Sequence, residues 1–410
     1  MNLGLFALRN LGRSRLRTAL QVGGVGLITA IMLVWGCLNT GLGDLLTRSA
    51  TDLDVGELQL HAVGYVNSPD LYTTMPYTQA WQQKLKSIGL AAAPRLYGFG
   101  LAAIGNQSTG VQIRAVDLDA EPKVTEIDRH LSKGKWLEKS APKDVVIGRV
   151  LARRLHVKIG QDLVLLTQAA DGAAANALFR VRGILLPASS DIDERGVFMS
   201  IAAFQQYYHM EQGVHEVALK RINIGDPLEK VRQRLSRIAP ALGPSVEVLT
   251  WRQVKPILAK MLDILAISSK FIFCFVYLSL GGLIINIGFM SIYNRLTEFG
   301  TMTALGMTPG QILTLILAES SWLGLFNSIT AWAIGIPIAL LLSRNGLDLR
   351  WFFDHWAMAG ITMQPILYAR LGWGEILTPV VVMFISINLF SLYPGLDAAR
   401  MQPSQALAPR

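Results

Sequence analysis

Two histidines and their acidic neighbours are the first residues in this chain that suggest chemistry. His215–Glu216 opens an HExxH pattern, in which two histidines one turn apart hold zinc and the glutamate activates water. The second histidine position is Leu219, so no zinc site is completed. His209 and Glu211 lie close by in sequence, and with His215 they read as solvated loop residues. Asp191, Asp193 and Glu194 in "SSDIDERG" offer oxygen ligands without EF-hand spacing and read as a polar turn. Gly134–Lys135 lacks the upstream glycine and the following hydroxyl of a phosphate-cradling loop. No G-x-S-x-G elbow occurs. No catalytic residue and no metal ligand are assigned. Glu319 remains, a carboxylate beside an apolar run, where charge is costly. It falls within a helix expected to begin near Thr308, placed to meet Arg295 or lipid headgroups. A proton relay would need a second carboxylate, and the apolar runs hold none.

The elements that carry these residues are set by composition. The chain has 410 residues, 51% of them apolar and 16% charged, against about a quarter charged in soluble proteins. Four stretches, 18–43, 271–292, 320–343 and 376–396, have the length and lack of charge of a membrane helix. The first follows an arginine-rich head but is too long for the apolar core of a secretory signal, so it reads as a retained span. Arg9, Arg13, Arg15 and Arg17 precede it without an acidic residue, and basic flanks stay in the cytoplasm. Both termini are therefore expected inside and the long segment after the first span outside. The net charge of +9 reflects this anchor and scattered basic residues. No basic run interleaved with aromatics points to nucleic acid. Cys37 and Cys274 both lie in apolar runs, so no disulfide staples the outer segment.

The outer segment alternates strand and helix patterns. "GELQLHA" alternates at Leu58, Leu60 and Ala62, the pattern of a half-buried strand. "YTQAWQQKLKSIG" spaces Ala80, Trp81, Leu85 and Ile88 as a helix. "RLYGFGLAAIG", "GVQIRAVD", "LFRVRGILL" and "SVEVLTW" read as strands. "DPLEKVRQRLSRIAP" places Leu228, Val231, Leu235 and Ile238 on one face, with Asp226 as its cap. Residues 50–125 and 213–251 together form an expected base subdomain, with 126–212 inserted. "RQVKPILAKMLDILAISSK" continues as a helix into the second span, with Lys255, Lys260, Asp263 and Lys270 on its wet section. The fold class is thus a membrane α-helical protein with four transmembrane helices and an α+β extracytoplasmic domain between the first and second spans.

Small residues mark the spans: Gly23, Gly24 and Gly26 in the first, Gly281, Gly282 and Gly288 in the second. They allow close helix packing, either inside one chain or along a dimer seam. Between the second and third spans lies "EFGTMTALGMTPGQI". Phe299, Met302, Leu305 and Met307 offer an apolar knob among Gly300, Ala304 and Gly306. Such a stretch serves either as an interfacial turn or as a docking knob.

Motif order supplies a resemblance. "RLTEFGTMTALGMTPGQILTLILAES" resembles the signature of FtsX-like permeases, the MacB-type or type VII class of ABC transporters. "FALRNLGRSRLRTAL" is similar to the family's amphipathic N-terminal helix, and "VVIGRVLARRLHVKIGQDLVLL" to part of its outer domain. "LYPGLDAARMQPSQALA" is similar to its closing tail. The layout looks most like the LolC/LolE-like, lipoprotein-releasing branch. The resemblance implies that Arg295, Glu298, Phe299, Gly300, Ala304, Leu305, Gly306 and Met307 meet a cytoplasmic ABC ATPase. ATP and Mg would then sit on that partner, with none bound here. Because no ATPase precedes the permease, a separate subunit is expected. The implied layout is an N-terminal helix (1–17), a first span (18–43), a MacB-like periplasmic domain (44–255), and a stalk with the second span (256–293). A coupling helix (294–310), a third span (311–343), a short periplasmic loop (344–374), a fourth span (375–396) and a cytoplasmic tail (397–410) follow. Further implied partners are a second permease subunit (a copy or a paralogue), membrane lipid, and a periplasmic carrier or adaptor. The implied site of action is the outer face of a bacterial inner membrane, on a lipoprotein or lipid-like substrate. Two alternatives stay open: an export permease in a tripartite efflux system for small molecules or peptides, or an FtsX-like regulator of a periplasmic enzyme. Carrier recruitment in the lipoprotein branch uses a protruding hairpin. The matching "TQAADGAAANALF" is short and has no aromatic anchor before Phe179.

Overall fold

A computed structural model of the chain describes residues 3–12, 15–210, 212–223, 225–243, 245–350, 356–358, 361–363 and 366–400. Arg13, Glu211 and residues 401–410 of the tail lie outside the described residues, as does part of the 344–374 loop. The chain runs α1 (Leu3–Leu11), α2 (Arg15–Ala50), a π-helical turn (Thr51–Val55), β1 (Leu58–Ala62), α3 (Gln79–Ser87), β2 (Leu90–Ile104), β3 (Gln107–Val116), β4 (Leu131–Gly134), β5 (Asp144–Ile147) and α4 (Arg149–Arg154). It continues through β6 (Asp162–Gln168), β7 (Ala174–Leu185), α5 (Ser190–Arg195), β8 (Gly196–Ser200), α6 (Ile201–Tyr208), β9 (Glu216–Arg221), α7 (Leu228–Leu242), β10 (Val246–Thr250) and α8 (Trp251–Val254). The last helices are α9 (Pro256–Tyr293), α10 (Leu296–Ala304), α11 (Pro309–Asn345) and α12 (Trp373–Arg400). Two units result: Met1–Gly43 with Asp263–Leu349 and Ile366–Arg410, and Asp44–Leu262 with Arg350–Pro365.

In the helical unit, α2, α9, α11 and α12 are long and apolar enough to cross a membrane. Helix α2 has 36 residues, about 54 Å at 1.5 Å per residue, against a hydrocarbon core of roughly 30 Å. The helix outruns its apolar stretch because Asp44, Thr47 and Arg48 continue it as a polar helix. Close packing uses glycine where a side chain has no room. A Cβ at Gly26 would lie 2.9 Å from Thr330, and one at Gly281 would lie 2.4 Å from the Phe390 ring. Val25, Met32, Tyr277, Leu280, Ile284, Met383 and Ile387 form one buried cluster between α2, α9 and α12.

The second unit is built on a mixed, mainly antiparallel sheet in the order β10-β1-β9-β2-β3-β8-β5-β7-β4, with β6 paired to β2 and β7. The organising strand is β2. Residues 90–95 pair with β9 and residues 101–103 with β6, while β3 runs along residues 95–104. One core takes Leu58, Leu60, Trp81, Leu85, Val217, Leu219, Val231 and Leu235 from β1, α3, β9 and α7. A second core takes Leu96, Val111, Ile113, Val145, Leu163, Val181, Val197 and Phe204. The residues between 96 and 116 therefore share a core with the segment read as inserted, because a 15-residue strand reaches across both. Helix α3 starts where the Thr78 hydroxyl accepts from the Trp81 amide, and buries Trp81 and Leu85 one turn apart. Helix α7 has Pro227, not Asp226, at its N-cap, without a side-chain cap. Asp226 sits 3.8 Å from Arg234 instead.

Strand β1 departs from its sequence pattern. All five residues are buried, including Gln59 and His61 at 1% and 2% exposure. The alternate positions face not water but a buried polar network, in which Gln59 Nε2 donates to the Val55 carbonyl and to Glu216 and His61 Nε2 meets Gln59 Oε1.

Candidate functional site

Between α9 and α11 the chain makes two sharp changes of direction. Arg295 is the N-cap of α10, and Leu305 ends it. Gly306 then takes φ +96°, a left-handed value that L side chains rarely adopt. Thr308 and Gln311 form a capping box, with Pro309 in the first turn of α11.

Arg295 is the centre of this element. Its Nε donates to Glu298 Oε2 at 3.0 Å, and its Nη1 donates to Glu319 Oε1 and Oε2 at 3.1 and 3.0 Å. Its guanidinium carbon lies 5.1 Å from the centre of the Phe299 ring. The meeting of Glu319 with Arg295 expected from the sequence is present. Asn10 Nδ2 of α1 also donates to Glu319, at 2.9 Å, and Trp322 Nε1 donates to the Gly4 carbonyl at 3.0 Å. Beneath this network Ala7, Ile292, Phe299, Ile312, Leu315, Ile316 and Ala398 are buried together. Parts of α1, α9, α10, α11 and α12 thus meet in one core.

The apolar knob read from the sequence is divided. Phe299 and Gly300 are buried, and Met302 and Met307 pack partly against the same core. Leu305 alone of the four large side chains turns outward, 83% exposed, with Ala304 and Gly306 exposed beside it. The reason is geometric. Phe299 is buried with Ile292 and Ile312, with Met302 packed against them, whereas Leu305 sits at the C-cap where α10 ends and is left uncovered.

The glycines also separate. Gly281 faces Phe390 and Gly288 faces Pro394, both on α12, so these pack inside the chain. Gly23, Gly24 and Gly282 have nothing within 4 Å of a Cβ position. In the same unit a cavity of about 720 Å³ is lined by Phe273, Leu278, Val382, Leu389 and Phe390, with Lys270 and Glu375 among its polar residues. Thr40 Oγ1 donates to Glu375 at 3.0 Å.

The sheet unit holds a polar cluster that sequence reading misplaced. His215 is fully buried and not a solvated loop residue. The Tyr97 amide donates to its Nδ1 at 2.9 Å and its Nε2 meets the Leu71 carbonyl at 3.0 Å, which selects the neutral Nε2-H tautomer. Tyr65 stacks between His215 and His61, with ring centres 5.3 and 5.7 Å away. Burial pushes both imidazoles below the usual histidine range. Glu216 accepts from Arg95 Nη1 at 2.9 Å, Gln59 Nε2 at 3.0 Å and Tyr97 Oη at 2.9 Å. Arg95 also donates to both oxygens of Glu121, at 3.1 and 2.5 Å. Lys255, read as part of a wet section, is paired with Asp54 at 3.0 Å. "SSDIDERG" forms the short helix α5, capped by Ser189, with Asp193 buried. His209 stays exposed and pairs with Asp171 at 2.8 Å. Among the described residues no group of three His, Cys, Asp or Glu side chains is placed to hold a metal ion. One signal for this cluster lies in the sequence: Arg95 is the only charged residue in the largely apolar β2.

Residues 18–238 match the MacB-like periplasmic core domain family, and residues 270–403 match the FtsX-like permease C-terminal family. The chain belongs to the MacB-type family of ABC transporter permeases. This MacB-type permease is 21% identical over 408 residues to the lipoprotein-releasing system transmembrane protein LolC of Neisseria meningitidis serogroup B, covering 95% of this chain and 93% of that protein. It is 22% identical over 356 residues to the lipoprotein-releasing system transmembrane protein LolE of Haemophilus influenzae, covering 82% of each. An uncharacterized ABC transporter permease of Methanocaldococcus jannaschii is 24% identical over 283 residues, 68% of this chain and 65% of that one. The MacB-type permease is a membrane protein, with four helices among the described residues long and apolar enough to span a bilayer.

Proposed function

We propose that this MacB-type permease transmits force from a separate cytoplasmic ABC ATPase to its outer domain, to act on a lipoprotein or lipid-like substrate at the outer face of a bacterial inner membrane. The observation that carries the reading is the Arg295 core with its outward Leu305. An ATPase that grips Leu305, Ala304 and Gly306 moves α10, and α10 shares one core with α1, α9, α11 and α12. Arg295, Glu298, Phe299, Gly300 and Met307 act from within, by holding the gripped surface to that core. ATP and Mg are placed on the ATPase, since the chain has no phosphate-cradling loop.

The orientation that goes with this reading puts both termini and α10 in the cytoplasm and residues 44–255 in the periplasm, between the first and second spans. The arginines that precede the first apolar run, 18–43, support it. The 720 Å³ cavity lined by Phe273, Leu278, Val382 and Phe390 supports a lipid-like substrate, because its walls suit acyl chains. The names of the Neisseria and Haemophilus relatives support a lipoprotein. Gly23, Gly24 and Gly282, which face nothing within 4 Å among the described residues, suit the seam to a second permease subunit. A periplasmic carrier docking at the β6–β7 hairpin is not part of the reading. The hairpin is fastened to α6 by Ala170 N to Tyr208 O at 2.8 Å and by the His209–Asp171 pair.

The test is reconstitution of the chain with its co-purifying ATPase in vesicles carrying a fluorescent tripalmitoylated peptide. ATP-dependent release of the lipopeptide is the expected result. Release that ignores ATP, or an ATPase that never co-purifies, overturns the assignment.

A further inference from the structure

The outer domain is joined to the membrane helices at two places in the chain: the π-helical turn that continues α2, and the α8–α9 junction. A buried ion cluster ties these two places together. Asp54 lies in the turn and is 4% exposed. Lys255 is the C-cap of α8, immediately before Pro256 of α9. Lys255 Nζ lies 3.0 Å from Asp54 Oδ2, while Arg114 Nη1 of β3 donates to Asp54 Oδ1 at 2.6 Å. Lys255 also lies 3.4 Å from Asp191 of α5. Two further ion pairs of the incoming segment, Asp52 with Lys220 and Glu57 with Arg221, fix it to β9.

Burial would raise the Asp54 carboxyl, but Lys255 and Arg114 outweigh it and hold the group well below the usual carboxylate range. Asp54 raises the Lys255 ammonium in turn, against the opposing effect of burial. A buried carboxylate facing two cations in a low dielectric is a stiff joint, because separating either partner leaves an uncompensated buried charge.

We propose that Asp54, Arg114 and Lys255, with Asp191, form an ion lock that makes the incoming and outgoing connections of the outer domain move as one body. These are positioning residues. The inference rests on the force-transmission reading for its purpose, but not for its existence. The β1–β10 ladder and the bond from the Trp251 amide to the Glu57 carbonyl already join the sheet ends of the two connections; without the lock, the turn at 51–55 and the start of α9 shift separately beyond that ladder.

Lys255→Met is the informative change. It leaves Asp54 paired with Arg114, whereas removal of Asp54 would strand the buried Arg114 and the half-buried Lys255 together. The full chain, with Cys274 replaced by serine, is placed in nanodiscs with spin labels at Arg48→Cys and Ile257→Cys, both exposed. Pulsed dipolar spectroscopy is expected to give one narrow distance peak for the parent. A second, displaced population is expected for Lys255→Met, and a single peak again for Lys255→Arg. Lys255→Gln serves as an independent neutral variant with the same expectation, should the methionine variant not fold. A single unchanged peak in the neutral variants, a broad parent distribution, or an arginine variant as heterogeneous as the methionine one overturns the lock. A narrow parent peak that no nucleotide shifts, in the complex with ATPase, counts against force transmission and leaves the lock standing.

Discussion

Leu305 offers the sharpest separation between docking and folding. Its side chain is 83% exposed, so truncation removes little from the core of the isolated chain. A surface change of this kind shifts stability by about 0.5 kcal/mol or less. If an ATPase groove covers it, full burial of a leucine contributes roughly 1.5–3 kcal/mol. Leu305→Ala should forfeit about 1–2 kcal/mol of that, a rise in dissociation constant of roughly 5–30-fold. Leu305→Asp should weaken binding further, since it also buries a charge. Phe299→Ala is the control. Phe299 is 4% exposed, and its loss should lower folding stability by about 3–5 kcal/mol. Gly306 is a poorer probe, because its φ of +96° strains any side chain whether or not a partner is present. The assay is titration of the co-purifying ATPase onto nanodisc-held variants, alongside thermal unfolding of each. Equal dissociation constants for the parent and both Leu305 variants, with unchanged melting, would refute the placement of the partner on this surface.

Other expectations follow from the same contacts. Arg295→Met leaves Glu319, among the described residues, with Asn10 and should lower stability by about 1.5–3 kcal/mol; Arg295→Lys should not restore it, since one ammonium cannot serve Glu298, Glu319 and the Phe299 ring together. Parental melting in the lysine variant would contradict this. His61 and His215 are held neutral by burial in the fold, while the unfolded chain takes up protons near pH 6.5. Stability of the sheet unit should therefore fall as pH drops from about 7 through 6.5 toward the depressed folded values, and His61→Gln should flatten the slope, as read by fluorescence-detected melting. Asp54 acts in a separate window: its folded value is depressed, so its contribution is present above about pH 4 and is lost below. A cysteine at exposed Ser140, in a Cys274→Ser background, should be labelled only from the periplasmic side; labelling from the cytoplasm would invert the orientation. Ser189 does not serve, because it is 5% exposed and caps α5.

The parts legible in the sequence were those set by local pattern. Long apolar runs announced the four helices, and the start of a helix expected near Thr308 is that of α11, where Thr308 and Gln311 form a capping box. The reach of α2 beyond residue 43 was hidden, because helical geometry persists where the apolar signal stops at Asp44. The polar cluster was hidden for a different reason. Alternation places Gln59 and His61 opposite Leu58 and Leu60, and an isolated strand would leave them wet. Their partner Glu216 lies 157 residues from Gln59, and Arg95 lies 121 residues from Glu216. Only the pairing of β1 and β2 on either side of β9 brings them together. The division of the knob was hidden too, since α10 has nine residues and apolar side chains on more than one face. Lys255 looked wet because lysines in a stalk usually are; Asp54, its partner, is remote in sequence and sits in a turn without a recognisable motif.

The central claim is that nucleotide on a partner ATPase moves the outer domain. Hydrogen exchange of the native permease–ATPase complex in nanodiscs, with and without ATP and vanadate, tests it directly. Changed protection in the π-helical turn at residues 51–55, in residues 251–256 and in the sheet strands β1 and β10 is the expected result. Identical exchange throughout residues 44–255 in both states, with the ATPase demonstrably trapped, would contradict the account.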